Sequence, residues 1–192
     1  TIVHNQLRTV GSVAMTESLQ HWPLLSKLCL CKNEISVKGM RALSEKLNNH
    51  SSLQEIELSY NPICGTALEK LNQALSTCSK LRRVELQSMW NPRFIVVMPC
   101  MIMVPKSDTL VALKFSRNVN AFDRHGVEVW ESFKNCLVSC INLEDLDVSR
   151  NFLGHERFEA LCEVFPKLTR LSRLNLADMD LQVGSLETLS NV

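Results

Sequence analysis

A chain of 192 residues carries 21 Lys and Arg against 20 Asp and Glu, with 45% of it hydrophobic, which suits one ordinary domain and excludes a disordered tail. Its net charge of +1 excludes binding to nucleic acid or to an anionic membrane by bulk electrostatics. Leucine supplies 29 residues while Gly and Pro supply 6 each and Tyr 1, so the leucines need a pattern to explain them.

Taken from the N-terminus, one motif recurs. It opens mid-strand as Ile2-x-x-Asn5-x-Leu7 and continues as Leu25-x-x-Leu28-x-Leu30-x-x-Asn33-x-Ile35 and Leu53-x-x-Ile56-x-Leu58-x-x-Asn61-x-Ile63. A looser copy, Leu81-x-x-Val84-x-Leu86-x-x-Met89, is followed by Leu110-x-x-Leu113-x-Phe115-x-x-Asn118. Then come Leu143-x-x-Leu146-x-Val148-x-x-Asn151-x-Leu153 and Leu171-x-x-Leu174-x-Leu176-x-x-Met179-x-Leu181. The third apolar position falls at residues 2, 30, 58, 86, 115, 148 and 176, so the steps are 28, 28, 28, 29, 33 and 28. Self-similarity at such a period means stacked supersecondary units.

Each unit reads the same way internally. Alternating apolar positions mark a short strand. The Asn that follows suits a turn, where its amide can bond the backbone of the bend. Gly11, Gly39, Gly65, Gly126, Gly154 and Gly184 come shortly after that Asn position and are expected to mark the turn before the next element. Apolar residues then recur at helical spacing, as in Leu43/Leu47, Leu68/Leu71/Leu75 and Phe158/Leu161/Phe165. The unit is strand, turn, helix, return.

This repeat resembles the leucine-rich repeat of the ribonuclease-inhibitor class, down to the leading Cys of Cys78-x-x-Leu81 and Cys140-x-x-Leu143. The resemblance covers nearly the whole chain and implies an α/β solenoid, a horseshoe of about seven repeats. It implies a parallel sheet on the concave face and helices on the convex face, with repeat four irregular. Residues 1–192 are expected to form one solenoid segment of a longer chain. Ribonuclease inhibitor, innate immune sensors, Ran GTPase-activating proteins, actin cappers and ciliary proteins share this repeat, so the fold does not assign the function.

In such a unit the residues flanking the inward leucines face the concave side. The first column reads Lys27, Glu55, Arg83, Ala112, Asp145, Arg173. The second reads Cys29, Glu57, Glu85, Lys114, Asp147, Asn175, and the third Cys31, Ser59, Gln87, Ser116, Ser149, Ala177. Two readings stand for the charges. Neighbouring strands lie about 4.8 Å apart, so the alternating signs of column one can form a self-satisfied ladder. Alternatively Glu57, Glu85 and Asp147 form an acidic stripe that engages basic groups of a partner, with Lys114 and Arg173 beside it.

Two units break the rule. After Met89 the chain runs from Trp90 to Pro105 without a Gly and with Pro99 inside it, which disfavours a regular helix. This stretch is expected to be an extended or one-turn convex segment packed on the core, or an apolar docking patch with Trp90 as its anchor. The longest step places an insertion at Val119–His125, before the helix that carries Trp130 and Phe133. Insertions in solenoids form rim loops that often carry specificity, which makes Arg124 a candidate contact.

Catalytic patterns are missing from the sequence, with no phosphate-binding Gly-rich loop and no Gly-x-Ser-x-Gly elbow. Cys29-x-Cys31 lacks the Cys-x-x-Cys spacing of a zinc knuckle and the histidines are scattered, so neither metal nor cofactor is expected. Most of the eight cysteines sit among leucines, and they are expected to be reduced, as in a cytoplasmic protein, with nuclear or ciliary residence as alternatives. The longest apolar run is shorter than the roughly 20 residues of a membrane span. The expected function is a non-catalytic protein-protein interaction module or scaffold whose partner is another protein. The alternatives are a structural subunit of a large cytoskeletal, ciliary or ribonucleoprotein assembly and, less supported, a Ran-type GTPase-activating protein.

Overall fold

A computed structural model describes residues 1–61, 66–89, 107–118, 126–151, 153–181 and 183–190. The strands are β1 (Lys27–Cys29), β2 (Glu55–Glu57), β3 (Arg83–Glu85), β4 (Ala112–Lys114), β5 (Asp145–Asp147) and β6 (Arg173–Asn175). They lie in that order in one six-stranded sheet, each pair parallel. Parallel neighbours need a crossover. Helices α2 (Val37–Leu47), α3 (Thr66–Ser76), α4 (Gly126–Ser139) and α5 (Gly154–Cys162) lie in the crossovers, with α1 (Arg8–Ser18) before β1 and α6 (Val183–Ser190) after β6.

The alternation within each strand decides what is buried. The middle residues Leu28, Ile56, Val84, Leu113 and Leu146 are buried. So are Leu30, Leu58, Leu86, Phe115 and Val148 two positions on, and all pack in one cluster with Leu43 and Leu47 of α2, Leu71 and Leu75 of α3, and Phe158 and Leu161 of α5. Each fully buried leucine contributes about 1.5–3 kcal/mol. The flanking strand residues point to the opposite, open face of the sheet.

Between units the backbone bonds follow one rule. Leu30 and Lys32 donate their N–H groups to Glu57 and Ser59, at 2.9 and 3.0 Å, and Leu58 and Tyr60 donate to Glu85 and Gln87. The stretch at Ile2 obeys the same rule, with Ile2 and His4 donating to Cys29 and Cys31 at 2.9 and 3.0 Å.

The turn leaving each strand holds a residue in the left-handed region. His4, Lys32, Tyr60, Ser88, Arg117, Arg150 and Asp178 have φ between 50° and 61°. Each sits two residues after the third apolar position of its unit. A non-glycine residue there costs roughly 1–2 kcal/mol. Its N–H is what the turn aims across to the next unit, as with Arg117 to Ser149 at 2.9 Å and Arg150 to Ala177 at 2.8 Å. Adjacent members of this row also touch. Lys32 Nζ lies 4.9 Å from the Tyr60 ring centre, and Arg150 Nε donates to Asp178 Oδ2 at 3.1 Å.

The asparagines tie units together more than they stabilise their own bends. Asn61, fully buried, accepts at Oδ1 from the Asn33 and Ile35 N–H groups at 3.1 and 3.2 Å. Its Nδ2 donates to the carbonyls of Leu30 and Leu58, both at 2.8 Å. Asn118 repeats the pattern toward Met89 and Leu86, and Asn151 toward Asn118 and Phe115.

The glycines correct the sequence expectation. Gly11, Gly39 and Gly184 lie inside α1, α2 and α6 and not in turns. A Cβ on Gly39 would fall 2.0 Å from Ser12 Oγ of α1, and one on Gly184 3.3 Å from His155 Cε1 of α5. The missing side chain lets each helix approach its predecessor, at the residue one past that helix's own glycine. Gly154, the first residue of α5, has φ of +71° and open space around it, so it does mark the bend into its helix. Gly65, like residues 90–106 and 119–125 with Trp90 and Arg124, lies outside the described residues.

His50 occupies the position where the next unit has Cys78, and it is buried with neither ring nitrogen partnered among the described residues. An unsatisfied buried polar group costs about 1–3 kcal/mol. Leu168 fills the equivalent position in the last unit. His50→Leu is therefore expected to stabilise the fold by about 1 kcal/mol, read as a higher midpoint in urea denaturation.

Candidate functional site on the open sheet face

The strand register aligns the charged columns. Lys27, Glu55, Arg83, Ala112, Asp145 and Arg173 are successive cross-strand partners, as are Cys29, Glu57, Glu85, Lys114, Asp147 and Asn175. Five residues expected to form the contact surface, Glu57, Glu85, Lys114, Asp147 and Arg173, thus share the open face.

Their partners differ along the sheet. Lys27 Nζ reaches Glu55 at 2.7 Å and Arg173 reaches Asp145 at 3.3 Å, so the ends of column one pair laterally. In the centre one pair crosses columns, Arg83 with Glu85, and one stays within column two, Lys114 with Glu85. Arg83 and Lys114 both converge on Glu85 Oε1, at 3.4 and 3.1 Å. Asp147 Oδ1 accepts from the Ser149 N–H at 3.0 Å and from its hydroxyl at 2.7 Å. The acidic residues therefore have partners already, and the one exposed pair among them, Lys27 with Glu55, contributes little to stability.

Glu57 is placed differently. Its Oε2 accepts from Cys29 Sγ at 3.1 Å, and its backbone carbonyl faces Cys31 Sγ at 3.7 Å. The two sulfurs are 3.6 Å apart. Burial pushes the Glu57 carboxyl up, but the two thiols and the positive charges of Lys27 and Lys114 outweigh it and hold it below the usual range. Both thiols are pushed up, first by burial and then by the hydrogen bond to Glu57. They are therefore protonated near neutral pH.

A sequence search restricted to one strand finds Cys29 and Cys31 but not their third neighbour. The signal was in the columns, since Cys29 and Glu57 stand side by side one unit apart. The other described cysteines, Cys78, Cys136, Cys140 and Cys162, are buried and form no disulfide. A second feature, at the end of the sheet where the strands begin, is a groove of about 510 Å³ lined by residues that include Lys80, Arg82, Asp108, Glu144 and Arg170. It carries both signs of charge and favours no one ligand.

The parallel sheet, with one helix in each described crossover, makes this an α/β fold of leucine-rich-repeat type. No protein-family model matches the chain, and no curated protein matches it. Among solved structures, an internalin from Listeria monocytogenes is similar at 13% identity, over 99% of this chain and 84% of its own. The TM-score of that superposition is 0.28, too loose to carry an argument. Among the described residues no helix is long and apolar enough to cross a membrane.

Proposed function

We propose that the chain is a non-catalytic interaction module, a seven-unit horseshoe of the ribonuclease-inhibitor class that docks another protein on its open sheet face. The observation that supports this reading is the row of Glu85, Lys114 and Asp147, side chains held in cross-strand register on an uncovered surface. A regular row of charges on a rigid sheet gives electrostatic complementarity and fixes the register of a partner. The Glu85 centre, shared by two cations, is suited to exchange one intramolecular ion pair for an intermolecular one. A reduced, intracellular setting and a place within a larger complex belong to the same proposal.

Affinity capture from an extract of the source cells tests it. Proteins held by the wild type are expected to fall at least tenfold with Glu85→Lys combined with Asp147→Lys. The exposed helix variant Glu69→Lys is expected to leave them unchanged. Equal capture by all three proteins would reject the open face as the contact surface.

A further inference from the structure

We propose that Cys29, Cys31 and Glu57 are three ligands of a site for a zinc-like divalent cation, with the fourth coordination position left open. The donor atoms of all three lie within 4.8 Å of one another. A tetrahedral ion bound at about 2.3 Å to sulfur and 2.0 Å to oxygen needs sulfur–sulfur edges of about 3.8 Å and sulfur–oxygen edges of about 3.5 Å. The observed separations are 3.6 Å between the thiols and 3.1 Å from Cys29 Sγ to Glu57 Oε2. The ligands therefore need to spread by only a few tenths of an ångström for these two edges. They are donors of the right softness, two sulfurs and a carboxylate oxygen.

The chemistry balances without any oxidant. Two thiols release their protons and two S–H bonds are replaced by two metal–sulfur bonds, while Glu57, already ionised, exchanges its thiol hydrogen bonds for a metal–oxygen bond. Two thiolates, one carboxylate and a divalent ion leave a charge of minus one at the centre. Lys27 and Lys114, whose charges act on Glu57, are placed to compensate it. Two of the other described thiols are engaged otherwise. Cys78 Sγ donates to the Leu47 carbonyl and Cys140 Sγ to that of Cys136, both inside the core. The site sits at the open face, with Glu57 half-buried and both cysteines buried. It does not depend on the interaction reading, since the ion can bind the isolated chain.

Titration of the reduced protein with Co²⁺ is the test. One equivalent is expected to give a thiolate-to-cobalt charge-transfer band and the intense visible bands of four-coordinate cobalt, both removed by Zn²⁺. Cys29→Ser and Cys31→Ser are each expected to abolish the charge-transfer band or halve it, Glu57→Gln to weaken binding at least tenfold, and Cys140→Ser to change nothing. Zinc binding is expected to release about two protons per ion in weakly buffered solution. Cadmium NMR of the wild-type complex counts bound thiolates without any variant. Two thiolates support the site. Absence of the cobalt bands, their full survival in the cysteine variants, unchanged affinity in Glu57→Gln, or a cadmium shift indicating any other sulfur count overturns it.

Discussion

Asn61→Leu is expected to destabilise the chain by about 3–5 kcal/mol, among the largest effects a single substitution gives. The side chain is fully buried and serves four backbone groups, the N–H groups of Asn33 and Ile35 and the carbonyls of Leu30 and Leu58. Leucine has similar volume and removes every one of those partners. Each group then stays buried without a bond, at about 1–3 kcal/mol apiece before relaxation. Urea denaturation followed by circular dichroism measures the loss. Asn135→Ala, at an exposed position of α4, is the control and is expected to stay within about 0.5 kcal/mol. A loss below about 1 kcal/mol at Asn61 would mean that water or a backbone shift replaces the bonds.

Gly39→Ala is expected to cost about 2–3 kcal/mol by overpacking. The added carbon would stand 2.0 Å from Ser12 Oγ, 2.8 Å from Ser12 Cβ and 3.1 Å from Ile35 Cγ2. Alanine favours helices over glycine by about 1 kcal/mol, so propensity alone predicts the opposite sign. A double-mutant cycle separates the two effects. Ser12→Ala removes the hydroxyl but leaves the Cβ contact, so it is expected to restore only part of the loss, whereas Ser12→Gly removes both contacts. If Gly39→Ala raised the denaturation midpoint, the close approach of α1 and α2 would be wrong.

The strand positions and their order were readable from the chain because they rest on local alternation. Leu28, Ile56, Val84, Leu113 and Leu146 all fall in the core, where that alternation puts them. What local reasoning misread are the links between units. Asn61 looks like a turn residue until its bonds to Asn33 and Leu30, 28 and 31 positions away, are seen. Gly39 looks like a turn glycine until Ser12 of the preceding helix is found against it. The left-handed row is illegible in composition because Lys, Tyr, Ser and Arg, which fill five of its seven positions, give no signal of positive φ; only their constant offset from the strand does.

The candidate contact residues divide in the same way. Their sharing of one face followed from counting along each strand, and the cross-strand register agrees. Their pairing followed the column order for Arg173 with Asp145 and Lys114 with Glu85, but not throughout. Arg83 turns along its own strand to Glu85, not laterally to Glu55. A choice between two carboxylates at similar range depends on side-chain conformation, which no sequence pattern encodes.

The left-handed row has one further meaning. At Lys32, Tyr60, Arg117 and Arg150 the fixed part is the backbone, whose N–H completes the bond to the next unit. The side chains play no part in that bond. Geometry and chemistry are thereby uncoupled along one edge of the molecule. A cation, an aromatic ring, a hydroxyl and a carboxylate all appear there on the same bend, once per unit. Such an edge can be rewritten residue by residue for a different surface while the scaffold beneath it is left untouched.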